Sequence, residues 1–309
     1  NKMYKVKSFA FALCALSLTF LFGCQDKTLH KDSRLMMGTF VEVTSPDKLA
    51  KNIVFQELTR VENLLSKYKP GSEISRLNRQ GKLAVSPETF YILKKSQELW
   101  KLSDGAFDIT VSGLVDLWGF TDKKYKVPEE SEIKAALKFV GSQKIIFNDE
   151  KNVVEFIASG VKVDLGAIAK GYALDCALKK LKENNITSCL INIGGQIYCL
   201  GDRFGKPWKI AIQSPRGKDF VDFLELKDAG VATSGDYEQY FVKDNARYSH
   251  ILNPKTGYPA NSGIISATVI TNNNLVADAL STAIFVLGKE KGMELIKKFP
   301  GTKVKIIDE

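Results

Sequence analysis

The sequence predicts an α+β fold, and three observations predict it. Apolar residues recur at helical spacing over 47–68, 86–103 and 168–182. Short β-type runs crowd between 188 and 243, parted by turns rich in glycine and asparagine. The two kinds of segment are grouped rather than strictly alternating, which argues for antiparallel sheets packed with helices and against a doubly wound parallel sheet. The 309 residues, 44% hydrophobic and 26% charged, suffice for one large domain or two modest ones. No linker is visible after residue 33, so 34–309 is expected to form one unit.

The elements follow in order. A strand is expected over 36–44. Ser45-Pro46 then reads as an N-cap followed by proline at the first helical position. Ile53, Leu58, Val61, Leu64 and Leu65 form the apolar stripe of the helix that follows, and Pro70-Gly71 ends it. Ser86-Pro87 repeats the start signal for a helix stopped by Asp104-Gly105. A helix over 131–139 and a hairpin over 144–148 and 153–157 come next. Val161 to Asp164 reads as a strand end, turned by Gly166 into the helix over 168–182. Strands are expected over 188–193, 196–200, 208–213, 222–226, 230–233, 237–243 and 264–270. Asn272-Asn273-Asn274 caps a helix through Ala277–Ala283. A helix over 289–299 and a strand over 303–307 close the chain.

The N-terminus carries a different signal. Lys2, Lys5 and Lys7 precede an uncharged apolar run from Phe9 to Phe22, too short for a comfortable membrane span and typical of a secretory signal. It ends in Leu21-Phe22-Gly23-Cys24, which resembles a bacterial lipoprotein cleavage box with Cys24 as the lipidated residue. Phe22 departs from the small residue usual there, and an ordinary signal peptide is the alternative. The expected organisation is a signal peptide over 1–23, a polar tether over 24–33 and a catalytic unit over 34–309. Its place would be extracytoplasmic, anchored by lipid to the periplasmic side of the inner or outer membrane.

Net charge is +9, of which the first 23 residues supply three. The remainder forms no basic stripe, and no Lys/Arg run exceeds two residues, so no nucleic-acid partner is expected. Cys176, Cys189 and Cys199 form no CxxC pair and read as buried thiols. Of two histidines, His30 falls in the tether and His250 opens the loop His250-Ile251-Leu252-Asn253-Pro254-Lys255-Thr256-Gly257. His250 is a candidate phosphate donor or general acid/base, or else a structural hydrogen-bonder.

Asp278 and Thr282 stand four residues apart, so on a helix their oxygens share a face. One carboxylate and one hydroxyl are too few for a Ca²⁺ cage but suit Mg²⁺, which keeps waters and borrows oxygens from a phosphate substrate. A capping or polar pair on a core helix is the alternative. Asp164-Leu165-Gly166-Ala167-Ile168-Ala169-Lys170-Gly171 is a small-residue turn into a helix, able to face an anion or simply to pack closely. It fits neither a P-loop nor GxGxxG. No G-x-S-x-G elbow or Cys/His pair supports a covalent hydrolase.

Ordered blocks tie these candidates together. They are Met37-Gly38-Thr39-Phe40, Ser72 to Asn78, Asp104 to Thr110, Leu117-Trp118-Gly119-Phe120, Val163 to Ala173, Ile193-Gly194-Gly195, Ala232 to Gly235, the His250 loop and Ala277 to Ala283. In this order they resemble the ApbE family of FAD:protein FMN transferases. The resemblance implies a T-fold-like α+β architecture. It implies that FMN passes from FAD to a Thr/Ser hydroxyl of an acceptor flavoprotein, with release of AMP. It assigns FAD contacts to Met37, Tyr68, Ala106, Phe107, Asp108, Asp164, Lys170 and Leu252. Mg²⁺ falls to the Ala167 carbonyl, Asp278 and Thr282. Ser281 stands where some members carry a second aspartate, acting through a water or not at all. Either His250 or Asp278 would take the acceptor proton. Tyr68 would stack on a ring of FAD or pack at a helix end. The implied acceptors are subunits of membrane redox pumps or extracytoplasmic reductases. An Mg²⁺-dependent FAD pyrophosphatase and a non-catalytic, lipid-anchored FAD-binding protein are the alternatives.

Overall fold

The computed structural model describes residues 27–217 and 219–308. Its centre is a seven-stranded sheet in which every neighbouring pair is antiparallel. The order is β1 (His30–Met36), β2 (Thr39–Ser45), β6 (Cys189–Ile193), β7 (Gln196–Leu200), β10 (Ala229–Gly235), β13 (Ile264–Thr271) and β14 (Lys303–Asp308). Helices α1 (Ala50–Leu65), α6 (Ala169–Glu183) and α7 (Asn274–Leu287) cover one face, with α8 (Lys289–Ile296) beside α7. The period of two decides which residues go where. Cys189, Ile191 and Ile193 join the main core under the helices, while Leu190 faces the other way. There the hairpin of β8 (Trp208–Gln213) and β9 (Phe220–Leu226) packs Trp208 and Ile210 over Ile197 and Cys199.

The rest of the chain buttresses the main core. Helices α2 (Glu73–Gln80) and α3 (Pro87–Leu102) flank a small sheet of β3 (Lys82–Ala84), β5 (Val153–Phe156) and β4 (Ile145–Asn148). Helices α4 (Ser112–Leu117) and α5 (Glu130–Leu137) pack with the hairpin of β11 (Tyr240–Lys243) and β12 (Ala246–Ser249) around buried Trp118. The Trp118 Nε1–H donates to Gly257 O at 2.9 Å, which pins the loop that begins at His250. The α+β class and the antiparallel sheets are as expected.

Several expectations are corrected. Residues 30–33 and His30 belong to β1, not to a tether, because His30 to Met36 pair in register with Ser45 to Thr39. The strand expected over 36–44 is β2, which starts only at Thr39: Met36 ends β1, and Met37-Gly38, both at positive φ, turn the hairpin between them. Ser45 does not cap a helix: its hydroxyl donates to Ser188 O at 2.6 Å, and α1 starts at Ala50 with no side-chain cap. Ser86 does cap its helix, accepting from Thr89 N at 3.2 Å with Pro87 next. Helix α2, capped by Ser72 and closed by Gly81 in the left-handed region, and strand β12 were not anticipated. Residues 161–164 form no strand. The Asn78 side chain mimics one, donating to Val163 O and accepting from Val163 N, each at 2.8 Å. Residues 237–239 form a turn before β11. The signal-peptide and lipidation assignments, Cys24 included, lie outside the described residues. Cys189 and Cys199 are buried and Cys176 is half-buried, all three as free thiols, with burial pushing Cys176 up to about 11.

Candidate functional site

A cavity of about 1040 Å³ opens beside the main sheet, large for a small-molecule site. Five of the expected residues line it: Met37, Tyr68, Asp164, Lys170 and His250. They arrive from five places: the β1–β2 turn, the segment after α1, the turn before α6, the first turn of α6, and the chain after β12. Tyr68 is 61% exposed, so it presents a ring to the cavity and is not a core residue at a helix end.

The metal candidates sit where α6 meets α7. Gly171 is the reason the helices approach so closely. A Cβ there would overlap Asn274 O and come within 2.9 Å of the Asp278 Cβ. Through this gap the Gly171 N–H donates to Asp278 Oδ2 at 2.9 Å. In an uninterrupted helix that N–H would reach back four residues to the Ala167 carbonyl. Given to Asp278 instead, it does not close that helical bond, and α6 starts only at Ala169. Asp278 is 5% exposed, and burial pushes its carboxyl above the usual range, against the pull of Lys170 and the amides of Gly171 and Lys170. Among the described residues it has no ion-pair partner.

Three hydroxyls continue the site. Ser234 Oγ lies 3.2 Å from Thr282 Oγ1 and 2.9 Å from Ser281 Oγ. Ser281 Oγ donates to Asp278 O at 2.8 Å. With that proton committed, Ser234 donates to Ser281 and Thr282 donates to Ser234, leaving the Thr282 lone pairs for a ligand. Ser281 is 1% exposed, its proton given to Asp278 O and its oxygen next to Ser234 Oγ. The candidate set, a backbone carbonyl, one carboxylate and hydroxyls, is all oxygen, the donor chemistry of a hard cation that keeps waters.

Helix α7 is itself held in place. Asn273 Oδ1 accepts from Val276 N at 3.0 Å, the cap expected from the sequence. Asp175 on α6 adds a second clamp, accepting from Leu275 N at 3.0 Å and from Asn274 Nδ2 at 2.8 Å.

His250 is tied by Nδ1 to Gln239 O at 3.1 Å, which makes Nδ1 the protonated nitrogen and leaves Nε2 as an acceptor. Burial, with Lys170 nearby, lowers its pKa to about 4 despite the Gln239 hydrogen bond and Asp164. The ring is therefore neutral at pH 7.

Four expected contacts sit elsewhere. Ala106, Phe107 and Asp108 do not line the cavity. Phe107 is 1% exposed in the main core, and the Asp108 carboxylate is spent on Thr110 N, Thr110 Oγ1, Ser142 N and Ser142 Oγ. Leu252 is buried in the Trp118 cluster.

Among the cavity residues that the sequence did not point to, two are charged and bear on the chemistry. Glu238, in the 236–239 turn, is open to the cavity yet surrounded by enough protein to be pushed up to about 7, a rise eased by Lys170 and reinforced by Asp278. Lys67 projects beneath the wall and pairs with Asp164 at 2.9 Å. Neither stands in a periodic pattern that marks it, and α1 ends at Leu65, short of the Pro70-Gly71 stop expected from the sequence.

Comparison with known proteins fits this geometry. The family model described as "ApbE family" matches residues 37–306. A FAD:protein FMN transferase of Haemophilus influenzae is 37% identical over 253 residues, 78% of this chain and 73% of that protein. One of Vibrio cholerae is 34% identical over 293 residues, 90% of this chain and 87% of that protein. The crystal structure of the ApbE protein of Thermotoga maritima superposes with a TM-score of 0.85 at 36% identity, covering 91% of this chain and 94% of that one. The flavin transferase ApbE of Vibrio cholerae gives 0.82 at 32% identity, with the same coverage. With the match spanning nearly all of the sheet, the cavity and the α6–α7 junction, this chain belongs to the ApbE family.

Proposed function

We propose that the chain is an FAD:protein FMN transferase that moves FMN from FAD onto a threonine or serine hydroxyl of an acceptor flavoprotein and releases AMP. The observation that carries this is the α6–α7 junction, where the Gly171 N–H goes to the buried Asp278 carboxylate and Ser234 Oγ lies 3.2 Å from Thr282 Oγ1. It adjoins a cavity of dinucleotide scale that also holds a neutral His250.

In this reading Ala167 O, Asp278 and Thr282 hold Mg²⁺. The ion would supply Lewis-acid stabilisation of charge growing on the diphosphate. Lys170 lies beside the same phosphates as a fixed positive charge. Tyr68 offers its exposed face to a ring of FAD. The acceptor hydroxyl gives its proton to His250 Nε2 as its oxygen attacks the FMN phosphorus. The bond from that phosphorus to the bridging oxygen breaks, and AMP leaves with the electron pair. Asp278 suits the metal better than the proton, because its carboxylate already accepts from Gly171. Positioning and electrostatics supply most of the rate, as in phosphoryl transfer generally.

The proposal extends to location: an extracytoplasmic enzyme anchored through Cys24, meeting acceptor subunits of redox pumps or reductases at the membrane. It rests on residues 1–24 and on the family resemblance. Among the described residues, no helix is long and apolar enough to cross a membrane.

The test is incubation of pure protein with FAD and Mg²⁺, with and without a threonine-bearing acceptor domain. Flavin fluorescence that stays on the acceptor through a denaturing gel is the expected result. Free FMN and AMP without acceptor labelling would make the protein a pyrophosphatase, and unchanged FAD a binding protein.

A further inference from the structure

We propose that Lys67 is a positioning residue that acts through Asp164, fixing its carboxylate in the cavity wall to receive the dinucleotide; this rests on the FAD reading above. The chain turns out of α1 at Ser66, which adopts an extended conformation, and the next side chain runs beneath the cavity rather than into solvent. The Lys67 side chain is only 7% exposed. Its Nζ reaches Asp164 Oδ2 at 2.9 Å, Thr121 Oγ1 at 3.1 Å, and Asp116 Oδ1 and Ser112 Oγ at 3.5 Å each. An ammonium has three protons to give. Asp164 and Thr121 take two, and the third faces Asp116 and Ser112. Lys67 therefore has no proton left for a phosphate, although it lies in the wall of a phosphate site.

A buried ammonium is costly unless it is paired. Burial works against this charge, and Asp164, followed by Tyr68 and Asp116, outweighs it, holding Lys67 above its ordinary value. Asp116 is the weaker partner: its side chain is 39% exposed, and it also faces Lys162 at 4.0 Å and accepts from Thr121. Asp164 is 18% exposed and closer.

Both Asp164 oxygens are thereby fixed. Oδ2 takes Lys67, Oδ1 takes Gly166 N at 2.8 Å, and the Asp164 N–H donates to Ile109 O at 2.7 Å. The remaining lone pairs are aimed as hydrogen-bond acceptors for a substrate N–H or O–H. The same pair joins the end of α1 to the turn that leads to Ala167 and Lys170. One buried lysine thus sets both an acceptor group and the entry to the metal turn.

The test is a double-mutant cycle on FAD affinity, read by isothermal titration of the full chain with FAD in Mg²⁺. Lys67→Met should raise the FAD Kd about tenfold, about 1.4 kcal/mol. In an Asp164→Asn background the same substitution should change Kd by less than about twofold, because its only route is already cut. Lys67→Arg, which keeps the charge but brings a larger planar fork, should lose less affinity than Lys67→Met. Should Lys67→Met lose its cooperative melt, Lys67→Arg against Lys67→Gln carries the same comparison. Equal losses from Lys67→Met in both backgrounds, or none in either, would overturn the proposal. Wild-type protein that does not bind FAD would instead overturn the dinucleotide reading itself.

Discussion

At the residue scale, His250 shows how the fold chooses a protonation state. Its Nδ1–H is spent on Gln239 O, and burial favours the uncharged ring. In His30→Gln protein, ¹H NMR of the single remaining imidazole should titrate near 4; a midpoint near 6.5 would show that burial does not disfavour its charged form. The sign of the linkage follows. Between about 4 and 6.5 the unfolded chain binds a proton that the native chain refuses. This histidine's contribution to stability is therefore complete above 6.5 and drains away as pH falls toward 4. His250→Ala should lower transfer about 10²–10⁴-fold while leaving FAD affinity nearly unchanged, as expected of a general base. Asp278→Ala should abolish Mg²⁺-dependent turnover yet keep a cooperative melt, since it removes a buried carboxylate that has no ion-pair partner. Wild-type turnover in that variant would place the metal elsewhere.

At the scale of elements, the site is a junction. The Asp278–Thr282 spacing is legible because any helix puts residues four apart on one face. What faces them is not legible, because it depends on how far α6 stands from α7. That distance is set by Gly171, which the sequence marks as the end of a small-residue turn without naming what packs against it. Gly171→Ala should push the helices apart, costing about 1–3 kcal/mol in thermal unfolding. It should also weaken Mg²⁺ binding, measured by calorimetry. Retention of wild-type metal affinity would show that the close approach serves packing alone. The misread Ser45-Pro46 start carries a different lesson. Serine before proline is a sound cap signal, but here the Ser45 oxygen accepts from Asp47 N two residues on, closing a local turn, and α1 starts only at Ala50.

At the scale of the whole molecule, the sheet joins parts that lie far apart in sequence. Met37, Asp164 and His250 line one cavity because β2 and β6 are neighbours and because the Trp118 cluster clamps the 250–257 loop. FAD with Mg²⁺ should therefore raise the melting temperature of the entire domain, and EDTA should reverse the metal-dependent part. A melt indifferent to Mg²⁺ in the presence of FAD would speak against a metal bound to the folded site. Transfer should stop with the chelator and return with excess Mg²⁺.

The sequence alone determined the α+β class, most helices and strands, the family blocks and the spacing of Asp278 and Thr282. These depend on local periodicity and residue chemistry, which a linear chain carries. The tertiary structure alone decided that Ser281 bonds to Ser234 and Asp278 O, that Asp108 bonds to Thr110 and Ser142, and that Leu252 packs in the Trp118 cluster. It also revealed Glu238 and Lys67 in the wall and the Gly171 amide turned toward Asp278. Each of these depends on a distance between segments far apart in the chain. Such distances are fixed only when the sheet and helices close on one another and buried polar groups must find partners.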